Sequence, residues 1–554
     1  MKNTSYSTNI KVVSLLLLGI TLVITPKLNE DATTIPKLVI LLFLIGNLIP
    51  LLALNLKTFF TNKASKRVLL FTVLMLIQLF LVLVLSTSPL EQKLFGRPFR
   101  LLGFLTFFFV VMLFLISYMI FEIDNYDYLI KVLALSGFIS SLYTIIQSFG
   151  YDFVKWGNTS TLATGPMGLT NFQSAFAAIA VIPTIYTINS KYRSVSLVIL
   201  SLVFYLITIY VTASIQGYLG MLIGLAVLLL LFLLVNYKKF KTFLFLVYSA
   251  IFGTLFAGML GHGYFAKYLY KDSVQSRGDF WRSAIRISNE NPIFGVGFDS
   301  FPDHYFRHKD QITANRSWYE NSDSAHNYLL DLSAQIGYPG ALLYLGLIIW
   351  VLYSFFRAYN RDKIFDFKIV SLFCAWLVTQ ATALINPINI SLFAWNMVLS
   401  GALLKVTKLE GKNESSKTFT NMLIAKSPSS PIRVISSIIC LLIVLPVFIS
   451  DKTYFQAKKD LNFTKMIKVA DQYPKSSMRF QDLSRELLLN KEYTLALEVS
   501  RNATKFNPNH VAGWALILIN PIATVEERTN AKMEVLRLDP LNKQFKNFEI
   551  KVYK

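Results

Sequence analysis

The chain has 554 residues, 54% of them hydrophobic, a mean hydropathy of +0.49 and a formal charge of +22. Apolar content this high argues against a soluble globular protein. A positive charge can signal a nucleic-acid partner, but much of this one lies in short loops between apolar runs, where Lys and Arg set membrane orientation, and that placement is the better reading.

Thirteen apolar runs predict membrane-spanning helices, at roughly residues 12–25, 35–54, 68–86, 101–121, 128–147, 173–188, 195–211, 218–235, 243–260, 341–357, 367–385, 389–405 and 433–450. The expected fold class is therefore all-α and polytopic. The first run follows a weakly basic start. It reads as an uncleaved span rather than a signal peptide, because no small-x-small cleavage site follows it. Lys57, Lys63, Lys66 and Arg67 follow the second span, Lys191 and Arg193 the sixth, and Lys238, Lys239 and Lys241 the eighth. Arg357, Arg361 and Lys363 follow the tenth, and Lys405, Lys408, Lys412, Lys417 and Lys426 the twelfth. All these connections fall on one side, which the positive-inside rule makes cytoplasmic. The N-terminus is then inside. Residues 148–172, about 261–340 and 451–554 are outside. Residues 1–450 are expected to form the membrane domain of a cytoplasmic-membrane protein in contact with its lipids. Cys374 and Cys440 both lie within apolar runs, so no disulfide framework is expected.

The long loop, 261–340, holds four of the five histidines, His262, His304, His308 and His326, together with eight Lys/Arg and two tryptophans. Arg277, Trp281 and Ala284 fall near one helical face, and Asn291-Pro292 stops that helix. Gly295-Val296-Gly297 is a flexible turn without the strand-helix context of a nucleotide loop. Further on, Asp323 or Ser324 is the expected cap of a helix on which His326, Leu329, Leu330 and Ser333 share a face. His304 and His308, four residues apart beside Asp303, have metal-ligand spacing but lack a third ligand, so no metal is expected. Trp281 and Trp318 serve either as interfacial anchors or as sugar-stacking platforms. Asp124 and Asp127 imitate a sugar-nucleotide metal motif but fall in a turn predicted to be cytoplasmic.

In the tail, Pro474, Pro508 and Pro540 recur at spacings of 34 and 32 residues. A turn at Asn490-Lys491 precedes an amphipathic helix with Leu495, Ala496, Val499 and Ala503 on one face. The period and the Tyr493/Ala496/Pro508 pattern resemble tetratricopeptide repeats, which would dock a protein partner. A small helical cap without a partner is the other reading.

Taken together, Arg277, Trp281, Pro292, Gly295, Gly297, Phe301, His326-Asn327, Leu330, Gly337 and Gly340 resemble the outer loop of the O-antigen ligase and polymerase superfamily. Residues 86–103 (STSPLEQKLFGRPFRLLG) and 165–183 (GPMGLTNFQSAFAAIAVIP) resemble other parts of the same superfamily, and the likeness covers about residues 10–410. The resemblance implies a glycosyltransferase without a cofactor. It would move or polymerise a glycan from a polyprenyl diphosphate carrier onto a glycan, lipid or protein acceptor, as lipopolysaccharide ligases, repeat-unit polymerases and protein oligosaccharyltransferases do. By position, His326 would be the general base and Arg277 a diphosphate partner. Asn327, Gln216, Arg97, Arg100, Trp281 and Arg316 would bind substrate. Gln216 stands where the family often has arginine, and Arg97, Arg100, Arg282 or Arg316 would supply the missing charge. Gln335 stands where the family frequently has glutamate. A lipid-linked glycan transporter and a non-catalytic assembly protein are the alternatives.

Overall fold

The structure is a computed structural model that describes residues 2–152, 163–189, 195–317, 319–362, 366–405 and 427–550. Trp318, Lys191, Arg193, Lys363, Lys408, Lys412, Lys417 and Lys426 lie outside the described residues.

The protein is an all-α polytopic membrane protein, and no strand occurs among the described residues. Each of the thirteen predicted spans lies on a helix. Among the described residues, seven helices are long and apolar enough to cross a membrane. Five more apolar helices are shorter: Thr8–Leu22, Phe104–Ile120, Val195–Val211, Phe367–Ala383 and Ile390–Leu403. The sixth predicted span is the helix Thr170–Tyr186, which carries Pro183 near its end.

The helices Phe104–Ile120 and Ile390–Leu403 are among the most buried. Phe104–Ile120 packs against Ile390–Leu403, where a Cβ on Gly401 would lie 2.5 Å from the carbonyl of Phe114. The helix Lys241–Met259, by contrast, keeps most of its apolar side chains exposed, as a lipid-facing helix does.

One end of the bundle gathers the connections 23–33, 86–103, 163–169, 260–327 and 384–389. Thr34 Oγ1 donates to the carbonyl of Phe99, Lys37 Nζ to that of Pro166, and Asn29 Nδ2 to that of Phe448. The opposite end is tied by the ion pairs Lys368–Asp127 at 2.8 Å and Lys405–Glu122 at 3.5 Å. Asp127 thus serves the helical frame, with the Tyr186 hydroxyl also donating to it.

The long loop contains the amphipathic helix Asp272–Glu290 and a turn, residues 291–300, pressed onto the start of the next spanning helix. That helix, Tyr328–Asp362, breaks at Gly337, whose φ is +76°. The Gly295-Val296-Gly297 turn lies against this break. Val296 N donates to the Ala334 carbonyl and Gly297 N to that of Gln335. Gln78 Nε2 then donates to Ile293 O and Ile336 O, each at 2.8 Å. The glycines are needed here. A Cβ on Gly295 would sit 2.4 Å from the Gln335 carbonyl carbon, and one on Gly337 would sit 2.2 Å from Ile293 O.

The helix Ser430–Lys459 carries the last predicted span and runs on unbroken to Lys459. Beyond it come Phe463–Asp471, Ser477–Leu489, Tyr493–Phe506, Val511–Ile519 and Val525–Leu538, each packed on the next. Ala496, Val499 and Ala503 are buried on one face of Tyr493–Phe506, as its periodicity predicts.

Gly337→Ala is expected to cost about 1–3 kcal/mol through backbone strain and the clash with Ile293. A thermal melt of the purified protein checks this; an unchanged melting temperature would contradict the pressed turn.

Candidate functional site

The site is built around residues 97–101, a short segment that two buried carboxylates pull into place. Asp299 accepts from the Arg97 backbone N–H at 2.8 Å and from Arg100 Nε at 2.7 Å. Asp31 accepts from Phe99 N at 2.9 Å and from Thr34 N at 2.8 Å. Asp299 itself is fully buried with φ +54°, and its own N–H donates to Gln335 Oε1 at 2.7 Å. An amide at position 335 accepts this bond without adding negative charge beside a buried carboxylate, which gives glutamine a physical reason to be there.

This construction puts Arg97 and Arg100 on the wall of a cavity of about 950 Å³ at the loop-bearing end of the bundle. Lys37, Lys458 and Lys459 also line it, against the carboxylates of Glu30 and Asp323. The remaining wall includes Gly168, Phe172 and the turn Pro387-Ile388-Asn389.

His326 stands beside the cavity rather than in its lining. Asp323 joins the two, with its Oδ2 3.1 Å from Arg100 Nη1 and its Oδ1 4.0 Å from His326 Nε2. The imidazole lies over the Phe280 ring at 5.3 Å between centroids, and its Nδ1 is buried without a hydrogen-bond partner among the described residues. Burial pushes its pKa down to about 4. Asp323 opposes that shift, and Arg277 and Arg100 add to it. The ring is therefore neutral at pH 7 and can take a proton.

The expected helix cap shifts. The helix begins at Tyr328, and Asn327 caps it by accepting from Leu330 N at 3.2 Å. His326 precedes the helix with φ +50° instead of sharing its face. The side-chain oxygen of Asn327 is thus engaged by the helix end.

Arg277 and Gln216 meet the cavity from behind. Arg277 Nε donates to Ile385 O at 2.8 Å, and Gln216 Nε2 donates to Asn386 Oδ1 at 2.5 Å. Both therefore brace the turn whose next residues, Pro387 to Asn389, line the cavity. Burial lowers the Arg277 pKa.

Arg316 and Arg282 pair with Asp279 on the loop helix, and Arg282 also pairs with Asp310 at 2.6 Å. Neither lines the cavity. Trp281, on the same helix, is half-buried, and its Nε1 has no hydrogen-bond partner among the described residues.

Among the described residues no group of His, Cys, Asp and Glu suits a metal ion. His308 Nδ1 lies 2.7 Å from the His304 carbonyl and its Nε2 3.0 Å from Glu290, while burial pushes the His304 pKa down to about 4.

Sequence reasoning missed Lys37, Asp299, Lys458 and Lys459. Lys37 had a signal, since it is a lone cation at the head of an apolar run and is 3% exposed. Asp299 had none, because its importance rests on a partner about 200 positions away.

The O-antigen ligase family model matches residues 200–345, which span Gln216, Arg277, Asp299 and His326. A search of curated proteins finds no match to the chain.

Asp299→Ala is expected to destabilise the protein by on the order of 3–5 kcal/mol, because the Arg100 charge loses its buried partner. A denaturation series in detergent checks this; a loss under about 1 kcal/mol, the worth of an exposed pair, would contradict the role given to Asp299.

Proposed function

We propose, from its O-antigen ligase family domain, that the chain is a glycosyltransferase of cell-surface polysaccharide assembly. It moves or polymerises glycan from a polyprenyl diphosphate carrier onto an acceptor at the outer face of the cytoplasmic membrane. The observation that carries this reading is the cation-lined cavity at one end of a membrane bundle, with a neutral histidine at its side whose Nδ1 has no hydrogen-bond partner among the described residues. The basic residues at the opposite end, Lys57, Lys63, Lys66, Arg67 and Arg357 among them, support an outward-facing cavity.

The chemistry follows from the residue types. The acceptor hydroxyl attacks the anomeric carbon of the donor sugar. The bond from that carbon to the diphosphate oxygen breaks, and polyprenyl diphosphate leaves. Negative charge grows on the leaving oxygen, where Arg97, Arg100 and the lysines of the helix end stabilise it. The proton of the acceptor passes to His326, and Asp323 stabilises the imidazolium that forms. A diphosphate in the cavity also brings the His326 pKa back up, toward the range where a base works best. Arg277 acts on this site through the turn 385–389. The repeat-like tail offers a docking surface for a protein partner or acceptor.

His326→Ala at wild-type protein level tests the reading through the size profile of lipid-linked glycan. Single repeat units in place of a ladder identify a polymerase, and full-length chains stranded on the lipid identify a ligase. An unchanged profile with normal surface glycan overturns the role of His326 and favours transport or scaffolding. In purified protein, protonation removes the base, so kcat/KM is expected to hold as pH falls from 7 and to drop toward pH 4, following the free-enzyme pKa. An acid limb at about 6.5, the value for a solvated histidine, would contradict the buried setting.

A further inference from the structure

Asp303 is buried and receives partners from two distant parts of the chain. From the segment 86–103 come Gln92 Nε2 at 3.0 Å and Arg97 Nη1 at 3.6 Å. From the tail come Asn507 Nδ2 at 3.1 Å and His510 Nδ1 at 3.4 Å. Burial works against the carboxylate charge, but Arg97, His510 and Gln92 outweigh it and hold the group ionised well below the usual range. The tail makes other contacts nearby, including the Tyr473 ring against Phe95 at 5.9 Å and the Asp539 charge acting on Lys309. It also supplies cavity wall through Met478, next to Phe455, Lys458 and Lys459 of the helix that leads into it.

The Arg97–Asp303 distance decides what this arrangement does. At 3.6 Å the pair attracts but is not hydrogen-bonded, and Arg97 Nη1 has no hydrogen-bond partner among the described residues. Arg97 also lines the cavity, so its guanidinium is shared between the cavity and Asp303 without being closed into a hydrogen bond with that carboxylate. The two tail donors occupy the carboxylate that would otherwise close on it.

We propose that Asn507 and His510 are positioning residues: by engaging Asp303 they keep the Arg97 guanidinium available to a diphosphate in the cavity. The inference rests on the diphosphate reading given above. It makes the tail a working part of the site rather than an appended module. Without the tail donors, the Asp303 carboxylate draws Arg97 into a full hydrogen bond and takes its charge from the ligand.

Equilibrium binding of inorganic pyrophosphate to the full chain in lipid nanodiscs tests this. Asn507→Ala with His510→Ala is expected to weaken binding about tenfold, and the same pair placed on Arg97→Gln is expected to weaken it no further. Adding Asp303→Asn to the tail pair restores binding, because an amide lacks the charge that draws Arg97 in. A merely structural tail would instead give losses that add to that of Arg97→Gln and no rescue, and that result overturns the inference. If the tail pair misfolds, His510→Ala alone carries the same comparison. Wild-type protein that binds no pyrophosphate overturns the diphosphate reading itself, and the inference with it. Wild-type binding with unaffected tail variants overturns the inference alone.

Discussion

The site depends on Asp299. Its carboxylate is fully buried, yet it holds a backbone N–H and a guanidinium from a segment about 200 residues earlier in the chain. A buried charge of this kind costs several kcal/mol in desolvation unless its partners are well placed. The surrounding construction supplies those partners. The glycine-bearing turn brings position 299 against the broken helix, Gln335 accepts its N–H, and Gln92 Nε2 donates to its carbonyl. The result is a seat for two arginines at one end of the bundle.

From this seat a chain of charges runs outward, from Asp299 to Arg100, then Asp323, then His326. A second runs through Arg97 to Asp303 and into the tail. One reaches His326, the proposed base, and the other reaches Arg97 on the cavity wall. The departure at Gln216 becomes intelligible in this setting. Gln216 binds Asn386 behind the cavity wall, whereas the cations on the cavity surface come from Arg97, Arg100 and the helix end at Lys458 and Lys459. Charge at this cavity is supplied from both ends of the chain.

Much of the fold was legible because its signal is local. Apolar runs of the right length mark the helices, and prolines and the Asn490-Lys491 turn mark the tail. His326 and Arg97 stood out in the sequence as residue types in long connections between apolar runs. The functional geometry was not, because it consists of pairs separated by about 200 residues, and nothing in a single sequence announces such a pair. Asn327 shows a different limit. Its pattern fitted a ligand-binding residue, but the helix end uses its side-chain oxygen as a cap. Arg316 shows a third, since it pairs with Asp279 on the loop helix and does not line the cavity. Lys37 was hidden in plain view, because a lysine at the head of a spanning segment ordinarily reaches for the interface, while this one is buried and bonded to the Pro166 carbonyl.

Native mass spectrometry of the protein released from membrane lipid tests most directly whether the cavity receives a lipid diphosphate. The wild-type chain is expected to retain a polyprenyl diphosphate-sized adduct, and Lys458→Gln with Lys459→Gln, two cavity-lining lysines outside the buried seat, is expected to lose most of it while remaining folded. Equal retention by both proteins, or no adduct on the wild type when polyprenyl diphosphate is supplied, would contradict the site described here.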